Sequence, residues 1–269
     1  MCLAVIALAA HPDFDAVIAA NRDEFHARPA AAAHWWRERL GTRLLAGRDL
    51  EAGGTWLGVS ERGRWAFVTN VREPGRHDPG APSRGSLVPE LLRDIREPAD
   101  ALATTLARGV AFNGFNVVAG DGPRAAFGSN RTPAILPLPA GIHGVSNAQL
   151  DTPWPKLARV KAGVARWIAS REPDPRALWE VLDDRRTADD DELPATGLTL
   201  ERERLLSAPF IVSDTYGTRC STLIALGRDG NVHFAERSFD REGRISGEVE
   251  YRFHIAAAAG RAQPEALRG

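Results

Sequence analysis

Short apolar segments separated by turn sequences dominate both ends of the chain. Residues 3–10 form the first apolar run, and residues 16–20 form a second run after the turn sequence HPDFD. Two such runs around a Pro-Asp turn predict a β-hairpin. Further segments with strand-like patterns are GTWLGVS, RWAFVTN, FNVVAG, RAAFGS, GIHGVSN, PFIVS, RCSTLIAL, VHFAERSF and EVEYRFHI. The pattern therefore predicts many strands joined by short turns.

The middle of the chain has the period of amphipathic helices. In the segment PWPKLARVKAGVARWIASR, Leu157, Val160, Val164, Trp167 and Ile168 recur on one helical face. The segments PADALATTLARGV and SLVPELLRDI predict two further helices. The acidic stretch DDRRTADDDELPATG, which begins at residue 183, predicts a solvated loop.

Two predicted strands limit the possible architectures. CLAVIALAA and STLIAL are apolar at consecutive positions, so both faces of each strand must be covered by other parts of the protein. Hairpin connections favour antiparallel pairing, which usually leaves one face in water. Antiparallel strands that are buried on both faces predict an α+β fold in four layers, the αββα sandwich, with two stacked antiparallel sheets between helices. The alternative is one sheet with helices on a single side.

Length and charge set limits on function. The 269 residues contain no segment that reads as a flexible linker, so we expect one domain spanning residues 1–269. A net charge of −1 does not indicate the basic surface that nucleic-acid binding typically requires. No apolar segment approaches the roughly 18 residues that a membrane-spanning helix needs. Cys2 and Cys220 are the only cysteines, which favours a reducing compartment, and we expect a cytoplasmic protein.

The position of Cys2 raises the possibility of terminal-residue chemistry. Aminopeptidases remove an initiator methionine when the second residue is small, and the chain would then begin with a cysteine that carries a free α-amine. Such an amine has a pKa of about 7.7–8.0 and the thiol one of about 8.5, so a base stands beside a nucleophile. The other interpretation is that Cys2 is a small apolar residue that opens a buried strand.

Polar residues close several of the apolar strands. The sequence NRDE, residues 21–24, ends the second strand, and an extended backbone places Asn21 and Asp23 on one face and Arg22 and Glu24 on the other. Three further residues at strand ends, each of which could instead be a turn or capping residue, are Asn70, Asn147 and Arg219. Amides can stabilise an oxyanion, and a guanidinium can favour a thiolate or bind a carboxylate.

The ordered motifs MC…NRDEF…RP, AGRDL…GGTWLG, TN, GVSN…PWPK and YGTRCSTL resemble the NRDE family, also called the transport and Golgi organisation protein 2 family. The resemblance runs from Cys2 to about Leu226. The family is similar to the N-terminal nucleophile hydrolases, which implies the αββα sandwich. The resemblance also implies kinship with penicillin and bile-salt amidases that begin with cysteine.

Site roles follow from that resemblance. It implies Cys2 as nucleophile and its α-amine as base, with Asp23 orienting the amine and Arg22 supporting the thiolate. Asn70 and Asn147 would hold the oxyanion, and Arg219 would bind nearby negative charge. The amidases separate their Arg and Asp by two residues, whereas Arg22 and Asp23 are adjacent, so Glu24 is the alternative acid. The implied activity is hydrolysis of a linear, non-peptide amide in a small-molecule substrate.

The family resemblance also implies a function of a different class. Family members are linked to haem mobilisation, which suggests non-catalytic binding or trafficking of haem or another hydrophobic ligand. The sequence has no haem-attachment motif such as CxxCH, and its seven histidines show no paired metal-ligand spacing. No cofactor or metal is expected for the hydrolase, and the sequence leaves the oligomeric state open.

Overall fold

The first strand, β1 (Leu3–Leu8), is buried at every residue because its two faces contact different layers. Ala4, Ile6 and Leu8 belong to a core between two sheets, whereas Leu3 and Val5 pack against helices. The computed structural model describes residues 3–36, 41–108, 111–171 and 174–255.

The described segments form strands, α-helices and short 3-10 turns. The remaining strands are β2 (Phe14–Phe25), β3 (Ala30–Trp35), β4 (Leu44–Asp49), β5 (Leu57–Ser60), β6 (Arg64–Asn70), β7 (Phe115–Asp121), β8 (Arg124–Ser129), β9 (Thr132–Leu138), β10 (Gly141–Val145), β11 (Tyr216–Gly227), β12 (Asn231–Phe239) and β13 (Ile245–His254). The helices are α1 (Leu87–Arg93), α2 (Pro98–Ala107), α3 (Pro155–Ser170), α4 (Trp179–Leu182) and α5 (Leu200–Leu205).

Two antiparallel sheets stack face to face. The order in the first, six-stranded sheet is β10-β1-β2-β11-β12-β13, and the order in the second, seven-stranded sheet is β3-β4-β5-β6-β7-β8-β9, for the strands that the structure describes. Helices α3 and α4 cover the first sheet, and α1 and α2 cover the second. The predicted αββα sandwich is therefore confirmed, and the alternative with a single sheet is wrong.

The absence of a side chain at Gly144 explains how closely α3, the longest of the helices described, packs against the first sheet. A Cβ atom at Gly144 of β10 would lie 2.5 Å from Leu157 Cδ1 of α3, so only glycine permits this approach. The hydrophobic face predicted for α3 is buried at Leu157, Val160, Val164 and Trp167. The first turn of α3 is thereby held against the end of β10.

Some predicted elements differ from the structure. The segment PFIVS, residues 209–213, is an irregular loop rather than a strand. Phe210 and Ile211 are buried in it, and its backbone bonds are single contacts such as Phe210 N–H to the Asp184 carbonyl, 2.9 Å, instead of a ladder. Strands β3, β4 and β9 were not predicted. The acidic stretch is a loop apart from the 3-10 turn Asp190–Glu192, as expected.

Among the described residues, no helix combines the length and the hydropathy that crossing a membrane requires.

Candidate functional site

The sequence NRDE lies at the end of β2, and its side chains alternate between the two faces as predicted. Asn21 is fully buried on the helix side, where its Nδ2 donates to the carbonyls of Leu182 (2.8 Å) and Pro209 (2.9 Å). The Ser221 hydroxyl donates to Asn21 Oδ1 at 2.6 Å. Asn21 therefore ties β2 to β11, to the end of α4 and to the loop that carries Pro209, which is a structural role.

Arg22 lies on the opposite face, between the sheets, and is only 4% exposed. Its guanidinium lies over the Trp56 ring, 4.4 Å from the ring centroid. Room for that indole exists because a Cβ at Gly47 would lie 2.5 Å from it. Arg22 Nη2 is 3.8 Å from Glu24 Oε2, and Nη1 has no hydrogen-bond partner among the described residues. The cation is therefore held by an aromatic face and keeps donor capacity.

A cleft of about 360 Å³ opens over this arginine. Its lining includes Arg22, Glu24, Trp56 and Asn70. Arg22 and Asn70 were predicted for the site, and Glu24 was the alternative acid. Trp56 lies within the quoted GGTWLG motif but had no assigned role. The cleft thus gathers side chains from β2, from the segment just before β5 and from β6, where the two sheets face each other.

A network of ion pairs forms one wall of the cleft. Arg28 Nε donates to Asp49 Oδ2 at 2.8 Å, and its Nη1 donates to Glu51 Oε1 at 3.1 Å. Glu24 Oε2 is 4.0 Å from Arg28 Nε. Burial acts to raise the pKa of Asp49, but hydrogen bonds from Arg28 and from the backbone outweigh it and lower that pKa. One arginine, Arg28, thus lies within 4.0 Å of three carboxylates on this wall.

Asn70 and Asn147 meet at the ends of β6 and β10. Asn147 Nδ2 donates to the backbone carbonyl of Asn70 at 3.1 Å, and the Asn147 carbonyl accepts from the Arg72 N–H at 2.8 Å. Asn116 Nδ2 donates to the carbonyl of the next residue, Ala148, at 2.7 Å. Asn147 is 7% exposed. The structure thus joins one predicted amide to the other across the two sheets and fixes the loop that carries Asn147.

Lys156 is a neighbour of Asn147 for which the sequence predicted no role in the site. It lies in the first turn of α3, is 1% exposed, and its Nζ is 3.4 Å from Asn147 Oδ1. The signal in the sequence was the PWPK motif next to GVSN, but a lysine after two prolines also fits an ordinary helix start.

Asp23 points away from the cleft lining, toward the face that carries Asn21. It is 3% exposed, and the Thr218 hydroxyl donates to its Oδ1 at 2.6 Å. Thr218 Oγ1 in turn accepts the backbone N–H of Ile211 at 2.9 Å. The buried loop 209–213 therefore orients Thr218, and Thr218 orients the carboxylate.

Arg219 lies at the irregularity in register between Thr218 and Cys220 of β11. Its Nη1 donates to the carbonyls of Phe25 and His26, at 3.3 and 3.0 Å. These contacts fasten the chain immediately after NRDE. Of the residues described, Asp23, Asn147 and Arg219 are not part of the cleft lining.

A buried carboxyl lies near Arg22 in the core between the sheets. Glu236 of β12 accepts the Ala33 N–H at 2.8 Å and the Thr222 hydroxyl at 3.1 Å. Burial raises the pKa of Glu236 to about 7, although the Ala33 and Thr222 hydrogen bonds and the charge of Arg22 oppose this. Burial also raises the pKa of the Cys220 thiol, and the charge of Glu236 adds to that effect. Sequence patterning gave no sign of this cluster, since the strand VHFAERSF has an ordinary alternation.

Cys2, the predicted nucleophile, lies outside the described residues, as does Met1. In the described part of the chain, no group of three or more His, Cys, Asp or Glu side chains is arranged to hold a metal ion.

Solved structures with the same architecture are N-terminal nucleophile hydrolases. The Caenorhabditis elegans ortholog of N-acylethanolamine-hydrolyzing acid amidase aligns with a TM-score of 0.50 and 11% identity over 83% of this chain and 92% of that chain. An arginine-to-leucine variant of conjugated bile acid hydrolase from Clostridium perfringens aligns with a TM-score of 0.55 and 8% identity over 97% and 100%. At these identities the likeness shows the fold alone.

Sequence comparison gives the family. A Bos taurus Transport and Golgi organization protein 2 homolog is 37% identical over 241 residues, and the Homo sapiens homolog is 34% identical over 243 residues. In both cases the alignment spans 82% of this chain and 86% of the relative. The model of the family described as Transport and Golgi organisation 2 matches residues 1–241. The chain belongs to the Transport and Golgi organisation 2 family.

Proposed function

We propose that this protein hydrolyses a linear, non-peptide amide and that Cys2 is its N-terminal nucleophile. The observation that carries the proposal is the register of the two strands that flank β1. Leu3 pairs with Asn21 of β2, and Ala4 pairs with Val145 of β10. Continued toward the chain start, the first register would set Arg22 opposite position 2, and the second would set Asn147 opposite the same position.

The alternation of β1 supports the same assignment. Ala4 and Ile6 face the core between the sheets, and Arg22 and Trp56 lie on that side. An even-numbered position at the start of β1 would share this face. A thiol there would be next to a buried guanidinium, which favours the thiolate. Such a thiol would also open toward the cleft that Arg22 and Asn70 line.

The proposed reaction has two steps, acylation of the Cys2 thiol and hydrolysis of the resulting thioester. The Cys2 sulfur attacks the amide carbonyl while its proton passes through the α-amine to the leaving nitrogen, which gives a thioester and a free amine. Water then attacks the thioester with the α-amine as base, releasing a carboxylic acid and restoring the thiol. Removal of Met1 is part of the proposal, because only then is that amine free.

The other residues take roles that their contacts support. An amide nitrogen carries two N–H donors, so Asn147 keeps one for an oxyanion after donating to the Asn70 carbonyl. The half-buried Asn70 side chain lines the cleft and supplies a second amide. Asp23, held by Thr218, orients the α-amine, and Arg219 holds the chain that follows NRDE.

The first test uses intact mass and turnover together. We expect mass spectrometry of the purified chain to show loss of Met1. We expect N-acylethanolamines and N-acylglycines of graded acyl length to be hydrolysed, and Cys2→Ser to lower kcat at least about a hundredfold. A Cys220→Ala background leaves one thiol, so its alkylation by iodoacetamide should track the loss of activity. Retained Met1, or equal turnover by Cys2→Ser, would refute the mechanism.

Carriage of haem or another hydrophobic ligand is the alternative that the family resemblance raised. A carrier pocket is expected to be mostly apolar, whereas the cleft over Arg22 has Glu24, Arg28, Asp49 and Glu51 in its lining. The cleft therefore favours hydrolysis of a substrate with a polar head. A haem titration that gives a saturable Soret shift, lost on cleft substitution, would reverse this preference. We also propose a cytoplasmic location, since Cys220 is a free thiol.

A further inference from the structure

Lysine is rare in this chain, and one of its two lysines is buried. Of 34 basic residues, 32 are arginine, and only Lys156 and Lys161 are lysine. Lys161 is 29% exposed in its side chain and pairs with Asp151 at 2.6 Å. Lys156 is 1% exposed although burying an ammonium group is costly. A cation that is buried at this cost calls for a specific contact.

The contact of Lys156 fixes the direction of an amide. Its Nζ is 3.4 Å from Asn147 Oδ1, and an ammonium can only donate. The amide oxygen must therefore face Lys156, which turns Nδ2 toward the Asn70 carbonyl, 3.1 Å away. The Asn70 carbonyl and the Ser146 hydroxyl, which donates to Oδ1 at 3.4 Å, favour the same orientation, and Lys156 adds a formal charge to it. An amide in the opposite orientation would present an acceptor where the proposed oxyanion needs a donor.

The same PWPK motif holds Asn147 from a second side. Trp154 lies beneath the Arg72 guanidinium, whose carbon is 4.6 Å from the ring centroid. Arg72 Nη1 pairs with the buried Glu203 at 2.5 Å, and the Arg72 N–H donates to the Asn147 carbonyl at 2.8 Å. The motif therefore anchors both the backbone and the side chain of Asn147.

We propose that Lys156 is a positioning residue for the proposed hydrolysis and that it acts through Asn147. Its charge orients the amide and polarises it, so that the remaining N–H of Nδ2 becomes a stronger donor to the oxyanion. This inference rests on the proposed function. It adds a residue to the site for which neither the position nor the family motif gave a role.

A double-mutant cycle tests the coupling. Lys156→Met keeps a side chain of similar length without the charge, and we expect kcat to fall by about 10- to 100-fold with KM nearly unchanged. In an Asn147→Ala background, Lys156→Met should change kcat by less than about twofold, because the group it positions is gone. Lys161→Met, on the same helix but paired with Asp151, is the matched control and should keep kcat within about twofold.

The outcomes separate the two proposals. A wild-type protein without Cys2-dependent turnover overturns both. Turnover that Lys156→Met retains, or a loss that is fully additive with Asn147→Ala, overturns only the role of Lys156. Thermal melts and near-ultraviolet circular dichroism establish that each variant is folded. Lys156→Arg is a second variant that keeps the charge, and it should lose less kcat than Lys156→Met; an equal loss would also contradict the proposal.

Discussion

Replacing Glu236 by glutamine should remove a pH-dependent cost from the folded state. The carboxyl is 2% exposed, and its known hydrogen bonds come from Ala33, Thr222 and the Cys220 thiol. Glutamine keeps the shape and one acceptor oxygen for the Ala33 N–H, and its amide can donate to the Thr222 hydroxyl. The substitution therefore removes the charge with little change in packing.

The magnitude follows from the difference between two pKa values. The pKa of Glu236 is raised from 4.5 to about 7 in the folded protein, mainly by burial. Below pH 4.5 the carboxyl is protonated in both states, and folding carries no penalty. As pH rises through 7, the unfolded state has already lost the proton and the folded state must lose it in the core. At about 1.4 kcal/mol per pH unit, the wild type loses about 3 kcal/mol of stability across this window.

Urea denaturation of both proteins at half-unit intervals from pH 4 to 8 measures the effect. The free energy of unfolding of Glu236→Gln minus that of the wild type should increase by about 3 kcal/mol between pH 4.5 and 7.5, because all other titrating groups cancel. Glu248→Gln, on the exposed strand β13, is the matched control and should show no such rise. If the difference in unfolding free energy between Glu236→Gln and wild type does not change from pH 4.5 to 7.5, the raised pKa of the Glu236 carboxyl is refuted.

Two further predictions concern the supports of Asp23 and Arg22. Thr218→Val removes the hydroxyl that donates to Asp23 and accepts from Ile211, so we expect the free energy of unfolding in urea to fall by about 1–3 kcal/mol. Thr218→Ser restores a hydroxyl and should recover most of that loss. Equal stability of Thr218→Val and wild type would contradict this prediction. Gly47→Ala places a Cβ 2.5 Å from Trp56, so the indole must move, and we expect a loss of about 1–3 kcal/mol together with changed tryptophan fluorescence. An unchanged spectrum and melt would show that Trp56 is not confined.

The αββα sandwich could be predicted because β1 and β11 contain runs of consecutive apolar residues, which indicate strands that are buried on both faces. Strands such as β6 and β8 matched their predicted segments because alternation and flanking turns define them. Strand β3 could not be predicted, since alanine repeats carry no period and its pairing with β4 is irregular between Ala31 and His34. The segment PFIVS was wrongly predicted to be a strand, because a buried loop contains the same kinds of apolar residues as a buried strand.

The candidate site was partly predictable because the ends of apolar strands can be recognised in a sequence. The closing positions of apolar strands selected Arg22 and Asn70, which line the cleft, and Asn147, which contacts Asn70. The contributions of Lys156, Thr218 and Glu236 depend on contacts between segments far apart in the chain, such as Glu236 with Ala33. No local pattern reports those contacts, so they required the structure.

The choice between Asp23 and Glu24 as the site acid is a question of parity. Side chains in a strand change face with every residue, so two residues point to opposite faces whenever their numbers differ by an odd amount. An arginine and an aspartate separated by two residues, the spacing given above for the amidases, differ by three in number, and Arg22 and Asp23 differ by one. Both offsets put the cation on one face and the acid on the other, whereas Glu24 shares the face of Arg22 and lies 3.8 Å from it. For the proposed hydrolysis we therefore propose Asp23 rather than Glu24 as the acid, and Glu24 lies in the charged wall of the cleft.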